Sequence, residues 1–212
     1  KFSKFKIMNE NFPKITFEGS MLKYGTDKPD LRNPLLIYEV SEVFKREDVK
    51  FDIFKNLISK GNVVRAIIAP QTSEKPRSFF DNIDKWAKEQ GASGLAYFTI
   101  EKDKILSGKG PVGKFFSEES LMEIMKLTGA EIGDSLFLAC SGKNELEKIT
   151  SAARNKIAED LGIIDNEIFA FCWVVDYPMF EKDEITNKIA FSHNPFSMPQ
   201  GERIMTECDF IS

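Results

Sequence analysis

The sequence is poor in the side chains that most often build reactive centres. It has one histidine, His193, and three cysteines, Cys140, Cys172 and Cys208, spread too widely for a metal site or a disulfide framework. That cysteine usage fits a reducing, cytosolic setting. Neither sign of charge is in large excess: 29 Lys and Arg stand against 33 Asp and Glu, a formal net charge of −4. No broad basic field announces nucleic acid, so any RNA contact would run through local patches or through residues outside this chain. Long apolar runs are missing too. The stretch from Ile168 to Val175 is far too short to cross a bilayer, and no signal peptide is visible. The chain opens at Lys1 without a methionine, a start that points to a fragment, a processed product or a recombinant piece.

Phenylalanine is what the sequence has in plenty. Nineteen of them, within a hydrophobic share of 42%, are enough for an aromatic-heavy core. Thr16 reads as an N-cap for a helix through Phe17, Met21 and Leu22 that Gly25 would end, about two turns in all. A polar loop, Thr26 to Arg32, follows. Leu35 to Val43 and Val49 to Leu57 read as strand and strand–helix material. Val63 to Ala69 is a β-branched run ended by Pro70, hence a buried strand. Phe79, Phe80, Ile83, Trp86 and Ala87 mark an amphipathic helix over Ser78 to Gln90, closed by Gly91. Leu95 to Ile100 and a strand starting at Ile105–Leu106 flank a charged turn. Ser117 caps a helix with carboxylates in its first turn, ended by Gly129. Leu136 to Cys140 is a strand, and Asn144 to Leu161 a long helix ended by Gly162. Ile168 to Val175 is apolar on both faces and calls for partners on each side, with Phe171 and Trp173 expected in the core. Asp176-Tyr177-Pro178 starts a hairpin-like stretch, and Ile189 to Phe191 is a last strand. The middle is therefore a compact α/β module in which strand pairs alternate with helices, and the ends read as pieces of something else.

Few motifs carry chemistry. Gly108 to Lys114 satisfies G-x-x-x-x-G-K, the front of a phosphate-binding loop. The next residue is Phe115 where a magnesium-binding hydroxyl is needed, Pro111 has no N–H to offer a phosphate, and the helix starts only after Ser117. It reads as a Gly-rich connection. His193, between a strand and Pro195, is placed to present a donor at a sheet edge, and imidazole donates to a carboxylate in either charge state. On the residues alone a lone histidine is more often structural. Asp27, Asp30 and Arg32 form a solvated, charge-alternating turn, and Asp176 reads as a turn residue. No paired carboxylates, Cys–His arrangement or metal cluster declares a catalytic centre.

Three segments together resemble one family. Tyr24 to Arg32, YGTDKPDLR, is similar to the Y-G-S-D-K-P-D-L-R signature of bacterial aspartyl-tRNA synthetases. FAFCWVVDYPMFE, Phe169 to Glu181, is similar to their W-V-x-D-F-P-M-F-E strand, and SHNPFSMP, Ser192 to Pro199, to their H-H-P-F-T-x-P segment. Between the first and second of these the family carries an inserted GAD domain, which GKGPVGKFFSEESLMEIMKLTGAEIGDSLFLAC resembles. The order and spacing agree from about Phe12 to Gly201.

The resemblance implies a class II enzyme that activates L-aspartate with ATP and Mg2+ and transfers it to tRNA(Asp), with tRNA(Asn) a second acceptor left open. A cytoplasmic homodimer is implied, with no membrane partner. The fold class it implies is α/β (α+β): a GAD domain with a mixed or antiparallel sheet at residues 34–165, flanked by partial segments of an antiparallel catalytic core at 1–33 and 166–212. The first histidine of H-H-P-F contacts aspartate in the family and falls on His193, a charged hydrogen bond of about 1.5–3 kcal/mol. The second is Asn194 here, which still donates but carries no charge. Asn194 and Asp176 are the residues expected behind that contact. No catalytic residue and no metal ligand is assigned. The family's two ATP-binding arginine motifs lie before and after this stretch, so the segment alone is expected to be inactive and to hold no cofactor. Two other readings stand beside this one: a GAD-type module like the insert of archaeal glutamyl-tRNA amidotransferases, and a non-catalytic interaction fragment.

Overall fold

A computed structural model describes residues 4–182, 186 and 188–191. In chain order the elements are β1 (Lys6–Ile7), β2 (Lys14–Thr16), α1 (Phe17–Tyr24), β3 (Ile37–Glu39), α2 (Ser41–Lys45), α3 (Asp52–Ile58), β4 (Val63–Ala69), α4 (Arg77–Glu89), β5 (Ala96–Lys102), β6 (Leu106–Lys109), α5 (Glu118–Thr128), β7 (Ser135–Ser141), α6 (Lys143–Leu161), β8 (Ile168–Phe169), β9 (Trp173–Val175), β10 (Phe180–Lys182) and β11 (Ile189–Phe191).

Five strands form an antiparallel sheet in the order β3-β4-β7-β5-β6. Both faces are covered, which is why its central strands are apolar without alternation. On one face Ile67, Tyr97, Phe137 and Ala139 pack with Phe80 and Ile83 of α4 and with Leu146, Ala153 and Ile157 of α6. On the other face Val64, Ala66, Phe98, Leu136 and Leu138 pack with Phe44 of α2, Phe54 of α3 and Leu121 and Ile124 of α5. Phenylalanine fills both layers: the Phe80 ring stacks on Tyr97 at 4.3 Å, and Phe44 meets Phe51, Phe54 and Phe116. The result is a three-layer α/β/α module.

The helix ends follow their local chemistry. The Thr16 hydroxyl accepts from the Gly19 N–H at 3.0 Å, and Gly25, at φ +69°, closes α1 by donating its N–H to the Met21 carbonyl. Ser117 and Gly129 do the same for α5. The Gly108 to Lys114 loop is closed rather than open for a phosphate: Gly108 and Gly113 meet backbone to backbone, and a Cβ on Gly113 would fall 2.3 Å from the Gly108 carbonyl carbon.

Two expectations change. The apolar run from Leu35 yields only the short β3, because the Ser41 hydroxyl accepts the Val64 N–H at 2.8 Å and the chain turns into α2. The run from Ile168 is split. Its first part pairs in parallel with β1 and its second in parallel with β2, and the chain between those two partners makes an excursion that no continuous strand could follow. Phe171 and Trp173 are not core residues: they are 48% and 60% exposed. Their partner strands leave the outer face open, and the rings of Phe5, Phe169, Phe171 and Phe12 form an exposed aromatic ladder instead. The flanks of the sheet module thus pair with each other, and β10 and β11 form an antiparallel hairpin beyond them.

Candidate functional site

His193 and Asn194, the residues of the expected aspartate contact, lie outside the described residues, as does Cys208. Asp176 is described. It sits between β9 and β10 with φ +58°, a left-handed backbone that costs a non-glycine residue energy, and its side chain is exposed. Tyr177 follows. Its hydroxyl donates to the Asp27 carbonyl at 3.4 Å and its ring meets Phe17 at 5.1 Å. Partial burial is the first cause that raises the Tyr177 hydroxyl above its usual range, with the Asp27 carboxylate adding to it. The β10–β11 hairpin begins three residues after Tyr177 and ends two residues before His193. Tyr177 therefore fastens the base of the segment that carries the expected substrate contact to the loop after α1.

That loop is built, not merely solvated. The buried Ser20 hydroxyl donates to the Thr26 carbonyl at 2.7 Å, and the Thr26 hydroxyl accepts from the Lys28 N–H. Arg32 grips Asp30 with a two-pronged fork at 2.9 and 2.7 Å, and its own N–H adds a third bond. The Arg32 guanidinium holds the Asp30 carboxyl below the usual carboxylate range.

A second cluster ties this loop to the sheet module. Arg154 of α6 is 1% exposed, and its guanidinium donates to three main-chain carbonyls: Leu35 at 2.6 Å, Asn33 at 2.6 Å and Asp30 at 2.9 Å. Its plane lies 5.0 Å from the Tyr24 ring. Burial lowers the Arg154 pKa, and Tyr24 and Asp30 oppose that. Asn33, itself buried, returns bonds to the Arg154 carbonyl and to Asn155. Arg65 of β4, also 1% exposed, reaches the Met21 carbonyl at the end of α1 and Glu147 of α6. Its Nε has no partner among the described residues.

The sequence reading does not single out Asn33, Arg65, Glu147 or Arg154, although a signal is there. Arg65 interrupts the apolar run VVRAIIA. Arg154 stands four residues after the buried Thr150 and beside Ala153, on the stripe of α6 that faces inward. A charge on such a stripe asks for buried partners.

Among the described residues no group of three His, Cys, Asp or Glu side chains is placed to hold a metal ion. The closed Gly108–Lys114 loop offers no cradle for a nucleotide. A cleft of about 460 Å³ lined by α3, α4 and the adjoining ends of β5 and β7 has its charges paired: Asp84 holds both Lys88 and the Leu95 N–H, and Asp81 meets Arg77.

The GAD domain family matches residues 54–150. The chain is 68% identical over 210 residues, 99% of its length and 35% of the relative's, to a protein of Pelagibacter ubique named aspartate–tRNA(Asp/Asn) ligase. Proteins of the same name from Wolbachia pipientis subsp. Culex pipiens and from Orientia tsutsugamushi are 50% and 48% identical over 202 and 201 residues, 95% of the chain and 33% of each relative. The chain spans about a third of the length of the curated relatives it matches.

Proposed function

We propose that the chain belongs to the aspartate–tRNA ligase family and serves an enzyme that activates L-aspartate with ATP and Mg2+ and transfers it to tRNA. The observation that carries this reading is the 68% identity across nearly the whole chain to a relative of that name. The relatives' names extend the acceptor to tRNA(Asn) as well as tRNA(Asp). In this reading residues 1–33 and 166–212 are catalytic-core segments and 34–165 the insert. The pairing of β1 with β8 and of β2 with β9 joins the two outer segments across the module between them and supports that division, although both pairs are parallel where antiparallel pairing is expected of the flanks. His193 contacts the aspartate side-chain carboxylate, with Asn194 and Asp176 behind it. The enzyme is a homodimer in the cytoplasm. Among the described residues no helix is long and apolar enough to cross a membrane.

Aspartate-dependent pyrophosphate exchange by the full-length protein containing this chain tests the reading. His193→Ala should raise the aspartate KM or lower the activation rate, and an unchanged profile would remove the assignment. Calorimetry of the 212-residue chain with ATP or aspartate should give no heat of binding, because the arginines expected to grip ATP belong to other segments of the family's chain.

A further inference from the structure

We infer that Arg154 is a positioning residue through which the insert sets the substrate-side loop of the catalytic core. The inference rests on the aspartate-ligase reading for its substrate and for the division into insert and core, and on geometry for the contacts of Arg154. Arg154 lies on the last helix of the insert, yet two of the three carbonyls it binds, Asp30 and Asn33, belong to the core segment at the end of the YGTDKPDLR loop, and the third, Leu35, is the insert's second residue. Those carbonyls converge from Asp30, Asn33 and Leu35, so the chain wraps around the guanidinium. A planar fork with several donors in fixed directions satisfies such a set; an ammonium on a flexible stem does not. Asn33 reciprocates from the loop side, donating to the Arg154 carbonyl and to Asn155. The clasp is therefore closed from both directions and excluded from water.

The loop's other end is fixed by the same module. Gly25 lies against the α6 backbone, and Arg65 of β4 binds the last turn of α1. Between these two anchors the loop presents the Asp27 carbonyl to Tyr177, at the base of the hairpin after which His193 follows. A shift of the loop would be passed to Tyr177 and from there to the hairpin. A displaced substrate contact weakens ground-state and transition-state binding alike, which raises KM with little change in kcat. The insert thus holds the core loop at both of its ends.

The test has two arms. In the 212-residue chain, Arg154→Met should speed amide hydrogen exchange over Thr26 to Asn33 by about tenfold or more while leaving α4 unchanged, because local opening is set by the contacts of the segment itself. Arg154→Lys should restore little of the protection. In the full-length enzyme, Arg154→Met should raise the aspartate KM by about tenfold with kcat changed less than about threefold, the pattern of lost binding geometry. Ile83→Ala or Ile83→Val, chosen to match its loss of unfolding temperature but placed in α4 away from the joint, should leave KM unchanged. Unchanged exchange over Thr26 to Asn33, or a KM shift shared by the Ile83 variant, overturns the inference. A wild-type protein with no aspartate-dependent exchange overturns the ligase reading and the substrate arm together, while the hydrogen-exchange arm still decides the clasp.

Discussion

Gly25 and Glu147 touch through their backbones: a Cβ built on Gly25 would fall 2.6 Å from the Glu147 carbonyl oxygen. Gly25 also holds φ +69° to end α1. Two demands fall on one residue, a left-handed backbone and an absent side chain, and only glycine meets both. Gly25→Ala should destabilise the chain by about 3 kcal/mol or more, the left-handed penalty of ~1–2 kcal/mol plus the forced separation of α1 from α6. Gly129, at φ +77° with nothing within 4 Å of its absent Cβ, supplies the contrast. Gly129→Ala should cost only about 1 kcal/mol. Urea unfolding of the two variants checks the difference, and equal losses would show that α1 does not press on α6.

The helix ends are legible in the sequence because each is a local device. Thr16, Ser117, Gly25 and Gly129 act within one turn of themselves, and their partners are fixed by spacing. The β-branched run of β4 and the inward stripe of α4 are legible for the same reason. Arg154 is not. Its partners are main-chain carbonyls more than a hundred residues away, and carbonyls leave no trace in the residue pattern. Trp173 reads as core and is exposed, because an apolar residue in an apolar run says that a partner is needed, not that this stretch of chain supplies it.

Acid should loosen one tie in particular. The Asp48 carboxyl is held down at about 2, first by the Arg46 guanidinium and then by the Ser117 hydroxyl that also caps α5. Its folded value lies below the roughly 3.9 of an unfolded aspartate. The stability it contributes is therefore complete above about pH 4 and is lost as pH falls towards about 2. Asp48→Asn should flatten the acid limb of the stability curve between those values. Arg46 and Asp48 are both about a third exposed, so the effect should shrink in high salt. Thermal unfolding at pH 2 to 6 in low and high salt reads both effects.

Cys140, near the C-terminal end of the central strand β7, should behave as an inert thiol. Burial pushes it up to about 11, against roughly 8.5 for a cysteine in water. At pH 8 its thiolate fraction is on the order of a hundredfold below that of the unfolded chain, and the thiolate is the reactive form. Iodoacetamide labelling followed by peptide mapping should therefore modify Cys140 slowly in the folded chain and quickly in urea. Equal rates in the two conditions would mean that the end of β7 opens freely.

The Arg65–Glu147 pair separates holding together from fitting well. Both side chains are buried, and the bond between them is long at 3.3 Å. The other contact of Arg65, to the Met21 carbonyl, is 3.4 Å, and its Nε has no partner among the described residues. Such a pair loses hydration without full return, yet removing one partner strands the other. Glu147→Leu should cost about 3–5 kcal/mol, since it leaves a buried guanidinium uncompensated. Arg65→Met combined with Glu147→Leu should recover most of that loss, ending within about 1 kcal/mol of the parent, because two well-packed apolar groups replace two poorly satisfied ions. A double-mutant cycle by urea unfolding measures the coupling directly. Additive losses would show that each residue is held by contacts other than the pair, which would place the weight of the joint on Arg154 and Asn33.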